Sequence, residues 1–196
     1  MDFLDKKKRL VLIAIAQKGT SGLAYDELLS TLTVLMTKNT LQSIIEDLYF
    51  SGFINIIKDS DEIRLIASKK VRSGLVALDF QRYKLLKFLE EVKKKSEEIA
   101  KLQDKNSQME EIKKIGKEGL ELISSGLLTL YKEFPELTIP EYVEIVEVIN
   151  NDVLVKLTPL ITQQMTEDDL KQFLNLTSKY LGEKEAEVLS EALKRV

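Results

Sequence analysis

The chain has 196 residues, 44% hydrophobic and 31% charged, with a formal net charge of −3, which suits one large or two small globular domains able to bury a core. It contains no Cys and no His, which excludes thiol chemistry, disulfides, His-based triads, zinc fingers and most transition-metal sites. No phosphate loop of the form GxxxxGK[ST] or GxGxxG occurs, and the carboxylates are scattered along amphipathic helices, so no catalysis, cofactor or metal is expected.

The first apolar run, LVLIAIA at residues 10 to 16, is seven residues long, where a membrane span needs roughly 20. It reads as a buried helix face. Polar QKGTSG follows it rather than a cleavage pattern, so a cytoplasmic protein with no membrane partner is expected. Asp5 suits the cap of this first helix, which runs to about Lys18, and Gly19 supplies a left-handed stop. YDELLSTL then places Tyr25, Leu28, Leu29 and Leu32 at helical spacing, a short second helix.

Thr37 offers a hydroxyl cap to a third helix, in which Leu41, Ile44, Ile45, Leu48 and Tyr49 form an apolar stripe and Gly52 is the stop. The period then changes. Phe53, Ile54, Ile56 and Ile57 are β-branched or aromatic, DSDE at 59 to 62 is turn chemistry, and IRLIA returns as a second strand, giving a hairpin.

Three helices and a hairpin in this order, with the motif LxxIIEDLYFSGFI, resemble the winged helix-turn-helix superfamily of bacterial and archaeal regulators, over roughly residues 5 to 72. One departure is the segment LTVLMTKNTL, about two residues longer than the turn usual in that superfamily, which can change how the second and third helices cross. The helical tail is similar to that of PadR-like regulators in architecture alone. The resemblance implies that the start of the third helix enters a major groove of double-stranded DNA. The outward positions there are Lys38, Asn39, Thr40, Gln42 and Ser43, where Asn and Gln suit adenine and Lys suits guanine. The hairpin and its flank add Lys58, Arg64, Lys69, Lys70 and Arg72 for phosphates or a minor groove. Against this stand Glu46 and Asp47 on the helix and Asp59, Asp61 and Glu62 at the hairpin tip, which repel phosphate. Lys6, Lys7, Lys8 and Arg9 could also touch phosphate, although a charge run at a helix start is more often a solvated face. Tyr25, Tyr49 and Phe50 suit core packing.

From about Asp79 the pattern becomes a long helix. Leu85, Leu89, Val92, Ile99, Leu102 and Met109 form a seam with coiled-coil spacing, expected to pair with a second copy in a homodimer. The span 79–134 reads as one bent helix or as a helical hairpin turning near DKNS at 104 to 107. Beyond it, Pro140 suits the first turn of a helix through Ile149, Asn150-Asn151 an interruption, and Thr158-Pro159 a further cap. TEDD at 166 to 169 reads as a capping box, and Gly182 separates a last helix whose apolar side is Ala186, Val188, Leu189, Ala192, Leu193 and Val196.

The expected fold is mainly α with a small β-hairpin. It comprises a winged helix-turn-helix at 1–78, a long helix or hairpin at 79–134 serving dimerisation, and an all-helical C-terminal domain at 135–196. Residues 1 to 95 hold 17 basic and 12 acidic side chains and the remainder 12 and 20, although ending the front at residue 84 leaves it only +3. A basic front and an acidic back suggest different partners for each half. Two functions follow, a homodimeric DNA-binding transcriptional regulator or chromatin-associated factor, and a non-enzymatic adaptor in a chromosome-segregation or transcription complex that binds protein instead, with the acidic C-terminal half as a further protein-binding surface. A composition rich in Lys and Ile and free of Cys suits a thermophilic archaeal source.

Overall fold

A computed structural model describes residues 2–59, 62–162 and 166–194. The elements are α1 (Lys6–Ala16), β1 (Leu23–Ala24), α2 (Tyr25–Leu32), α3 (Lys38–Phe50), β2 (Ile54–Asp59), β3 (Glu62–Ala67), α4 (Lys69–Ile99), α5 (Lys105–Tyr131), α6 (Pro135–Thr162), α7 (Glu167–Leu181) and α8 (Glu183–Lys194). The chain is mainly helical with one small antiparallel sheet. It divides into two compact units, one of residues 1–83 with 124–145 and the other of 84–123 with 146–196. The boundaries expected at 78 and 134 do not coincide with this division, which falls after residues 83, 123 and 145, and α4 runs unbroken through residue 78. No helix among the described residues is long and apolar enough to cross a membrane.

In the first unit, Asp5 caps α1 by accepting from the Lys8 amide at 3.0 Å. Thr37 does the same for α3, accepting from the Thr40 amide at 3.2 Å. The end of α3 is closed as its glycine demands. Gly52 has φ 72°, and the amides of Gly52 and Phe53 return to the carbonyls of Tyr49 and Leu48, each at 2.9 Å. That is the double closure a left-handed glycine permits and other residues resist.

The longer connection between α2 and α3 is ordered by its own packing. The amides of Leu35 and Met36 both return to the Leu32 carbonyl, and the Met36 side chain is buried in the core while Val34 and Leu35 remain exposed.

The sheet has three strands in the order β1-β3-β2, one more than the expected hairpin. Leu23 pairs with Leu65 and Ala24 with Arg64; two residues carry too little alternation to announce a strand. Gly22 allows this approach, because a Cβ there would lie 2.6 Å from Ile66 Cγ1 and 3.0 Å from the Leu65 carbonyl oxygen. In the hairpin itself Ile54 pairs with Ala67 and Asp59 with Glu62.

The core of this unit gathers Leu12 and Ile15 of α1, Leu28 of α2, Leu41, Ile45 and Leu48 of α3, and Ile54 and Leu65 of the sheet. Phe134 and Leu137 belong to the same core and are fully buried. The ring of Phe134 meets Phe53 edge to face at 4.9 Å. Gly74 in α4 makes room for it, since a Cβ there would come within 2.8 Å of Phe134 Cβ. α4 passes through Ser73-Gly74 and begins ten residues before Asp79, where the long helix was expected to start. Tyr49 and Phe50, expected in the core, are exposed and meet edge to face with centroids 5.6 Å apart.

Within the second unit α4 and α5 form the hairpin alternative. Asp104 caps α5, accepting from the Ser107 amide at 2.9 Å and its hydroxyl at 2.6 Å. Val92 and Ile99 of α4, Ile112 and Ile115 of α5, and Leu157 and Leu160 of α6 share one core. α6 is continuous through Pro140 and Asn150-Asn151, where a start and an interruption were expected. Asn costs a helix only a few tenths of a kcal/mol, about 0.7 at most, and buried Ile149, Leu157 and Leu160 supply packing that outweighs it. Thr166 and Asp169 form the full capping box of α7, and Gly182 ends that helix with φ 114°. The side chains of Leu189, Ala192 and Leu193, Val196, and at the hairpin tip the Asp59 side chain and Asp61, lie outside the described residues.

Candidate nucleic-acid interface

The polar start of α3 is held out by its cap. Thr37 and Thr40 lie with their hydroxyls 2.9 Å apart, and Lys38, Asn39, Gln42 and Ser43 are exposed on the first turns while Thr40 is half-buried. Gln42 is partly committed, donating to Glu46 Oε1 at 3.1 Å. An open cleft of about 530 Å³ lies beside this turn, where Asp5, Lys7 and Lys8 of the α1 start face Asn39, Ser43 and Asp47 of α3.

The basic run at α1 is divided among several partners. Lys8 pairs with Asp47 at 3.0 Å, which neutralises one of the two acids on α3. Lys6 Nζ lies 4.0 Å from Glu144. Arg9 is buried, with only 9% of its side chain exposed. Its guanidinium is held by Glu141 at 2.6 Å, by the Leu4 carbonyl at 3.1 Å and by Glu144. Only Lys7 of the four is exposed with no ion pair among the described residues. Sequence reasoning missed its place beside α3, because nothing in the run KKKR separates Lys7, the cation of that cleft with no ion pair among the described residues, from the three that are paired.

The hairpin and its flank divide in the same way. Lys58 on β2 and Lys69 at the start of α4 are exposed, with no ion pair or hydrogen bond among the described residues. Arg64 is half-buried and engaged, bonding Glu62 at 2.8 Å and the Ser21 carbonyl at 3.1 Å. Arg72 donates to the Ala67 carbonyl. Lys70 lies 3.8 Å from Glu136 and 5.0 Å above the Phe134 ring. Arg64, Arg72 and Lys70 therefore hold the unit together, which their charge alone did not reveal. Of the ten positions expected to face DNA, Lys38, Asn39, Ser43, Lys58 and Lys69 have exposed side chains uncommitted among the described residues.

The expected dimer seam is placed differently from its sequence reading. Leu85, Leu89, Val92 and Ile99 are buried within the chain, Met109 is half-buried, and only Leu102 is exposed, at 40%. Heptad spacing reports that a helix face needs a partner helix; here α5 and α6 of the same chain cover Val92 and Ile99. Exposure of that seam was the reason for expecting a partner there, and the reason does not hold.

Among the described residues no cluster of carboxylates is arranged to hold a metal ion. No protein-family model, curated protein or solved structure matches the chain.

Proposed function

We propose that the first unit is a winged helix-turn-helix that binds double-stranded DNA, and that the protein is a transcriptional regulator or chromatin-associated factor. The observation that carries this reading is the start of α3, where a Thr37 cap presents Lys38, Asn39 and Ser43 to solvent without side-chain partners among the described residues. Asn39 is the base reader, bidentate to adenine, and Lys38 donates to guanine acceptors. Lys7, Lys58 and Lys69 neutralise phosphates, which fix register without reading sequence. A homodimer on two half-sites remains part of the proposal on symmetry grounds, with its contact outside the buried α4 seam.

The test separates the two kinds of contact. Asn39→Ala should relax sequence preference, a bidentate base contact being worth about 1–3 kcal/mol of discrimination. Lys58→Ala should weaken all sequences alike and reduce the salt slope by roughly one unit. Identical, salt-insensitive binding by both variants and the parent would refute a role for these residues on DNA.

A second reading, the protein-binding adaptor, is favoured by the outer strand of the sheet. β2 is an edge strand, and Ile56 and Ile57 on it and Ile63 beside it are exposed. An edge with apolar, β-branched side chains is suited to accept a strand from another protein.

A further inference from the structure

The second unit contains a pocket of about 110 Å³ with walls from α4, α5 and α6. Its size is of the order of the ~150 Å³ engineered Leu/Ile/Phe-lined cavity that stays dry and takes up benzene. Leu85 and Phe88 line it from α4, Ile115 from α5, and Ile149 and Val153 from α6. Asn150 is the only polar side chain among the described residues that line it. No charged side chain does, so a charged occupant would lose hydration without compensation.

The two glycines of α5 that line the pocket differ in what they are for. Gly119 accommodates Phe88, whose ring atoms would lie 3.1 and 3.3 Å from a Cβ placed there. Gly116 accommodates no packed neighbour among the described residues, since a Cβ there would meet no atom of theirs within 4 Å beyond its own helix turn. Glycine is the poorest helix former after proline, and interiors normally fill to crystal-like density. Here a helix-interior glycine and an unfilled apolar space coincide.

We propose that this pocket is a binding site for a small uncharged aromatic molecule carrying one hydrogen-bonding group. The ring lies against Leu85, Phe88 and Val153, filling space that otherwise forfeits dispersion contacts. The polar group meets the Asn150 amide, which both donates and accepts. Gly116 keeps the space open. The proposal is independent of DNA binding, because it concerns the other unit and needs no residue of α3 or the hairpin.

The test titrates the full chain, labelled at Ile and Val methyls, with benzyl alcohol and with benzoate, which share a ring and differ in charge. Benzyl alcohol should shift the methyls of Ile115, Ile149 and Val153 and bind at least tenfold more tightly than benzoate. Gly116→Leu, which places a side chain into the open space, should weaken benzyl alcohol binding at least tenfold while retaining cooperative melting. No shift at these methyls, equal binding of the two probes, or unchanged binding in a folded Gly116→Leu would overturn the proposal. Should that variant fail to melt cooperatively, the parent protein decides the matter: shifts centred on the three methyls support the site, and shifts centred elsewhere refute it.

Discussion

The amide of Leu4 donates to the carbonyl of Glu136 at 3.0 Å, and that carbonyl is the one Pro140 leaves without its helical donor. Proline has no N–H, so residue i−4 loses its partner inside the helix. Here Leu4, just before α1, supplies the missing hydrogen bond, and α6 continues past the proline. The Leu4 carbonyl in turn accepts from the Arg9 guanidinium, which binds Glu141 and Glu144 of α6, so Leu4 is tied to α6 directly through its amide and indirectly through Arg9.

Pro140→Ala gives Glu136 a helical donor and makes the Leu4 amide redundant. Hydrogen exchange at Leu4 should accelerate at least tenfold, a change of about 1.4 kcal/mol in local opening. Unchanged protection would mean that Leu4 is held by something other than this carbonyl.

Arg9→Ala should destabilise the protein by about 3 kcal/mol, because it leaves Glu141 partly buried without its cation and orphans the Leu4 carbonyl. Glu144, the more exposed of the two carboxylates, should matter less, and Glu144→Gln should cost under ~1 kcal/mol. Denaturant melts measure both. A Glu144→Gln loss as large as that of Arg9→Ala would contradict the minor role given to Glu144.

Tyr142 is fully buried, and a Cβ on Gly126 would lie 2.2 Å from its hydroxyl oxygen. Gly126→Ala should therefore destabilise despite its better helix propensity. The Tyr142 hydroxyl has no hydrogen-bond partner among the described residues, and burial pushes its pKa from 10.0 up to about 12. A group whose pKa is raised by folding contributes stability below its unfolded value and loses it as pH rises. Stability should thus begin to fall above pH 10 and continue to about 12, and Tyr142→Phe should remove that part of the alkaline loss. At neutral pH Tyr142→Phe should be neutral or stabilising by about 1 kcal/mol; a loss above ~2 kcal/mol would contradict an unpaired hydroxyl.

The first turn of α5 should depend on acid. Bonds from the Ser107 hydroxyl and amide, and from the Asn106 amide, hold the Asp104 carboxyl below its ordinary 3.8. A depressed carboxylate contributes stability above its unfolded pKa and loses it as pH falls through the folded one. The Ser107 amide resonance should report that transition below the ordinary carboxylate range. Asp104→Asn, still a good cap at neutral pH, should lack it.

Much of the fold was legible because local chemistry forces it. Asp5, Thr37 and Thr166 act as caps and Gly52 and Gly182 as stops, and the β-branched runs on either side of the acidic turn form β2 and β3. What escaped reading depends on residues far apart in sequence. β1 exists because Gly22 lets two residues reach β3, and α6 survives Pro140 because of Leu4. The α4 seam shows the limit most plainly: its spacing required a partner helix, and nothing in it distinguishes α5 and α6 of the same chain from a second copy. The candidate interface was legible only in part for the same reason. Lys58 and Lys69 are exposed as charge suggested, but Arg64 and Arg72 are engaged by carbonyls that no local pattern identifies.

The most direct test of DNA recognition is binding of the intact protein to mixed genomic duplex DNA, followed by fluorescence anisotropy at 50 and 200 mM salt. Lys7, Lys58 and Lys69 acting on phosphates predict measurable binding at low salt that weakens by roughly fortyfold over this range, the counterion release expected for about three neutralised phosphates. Absence of binding at 50 mM salt would contradict the account and leave the first unit, with its exposed β2 edge, as a surface for protein.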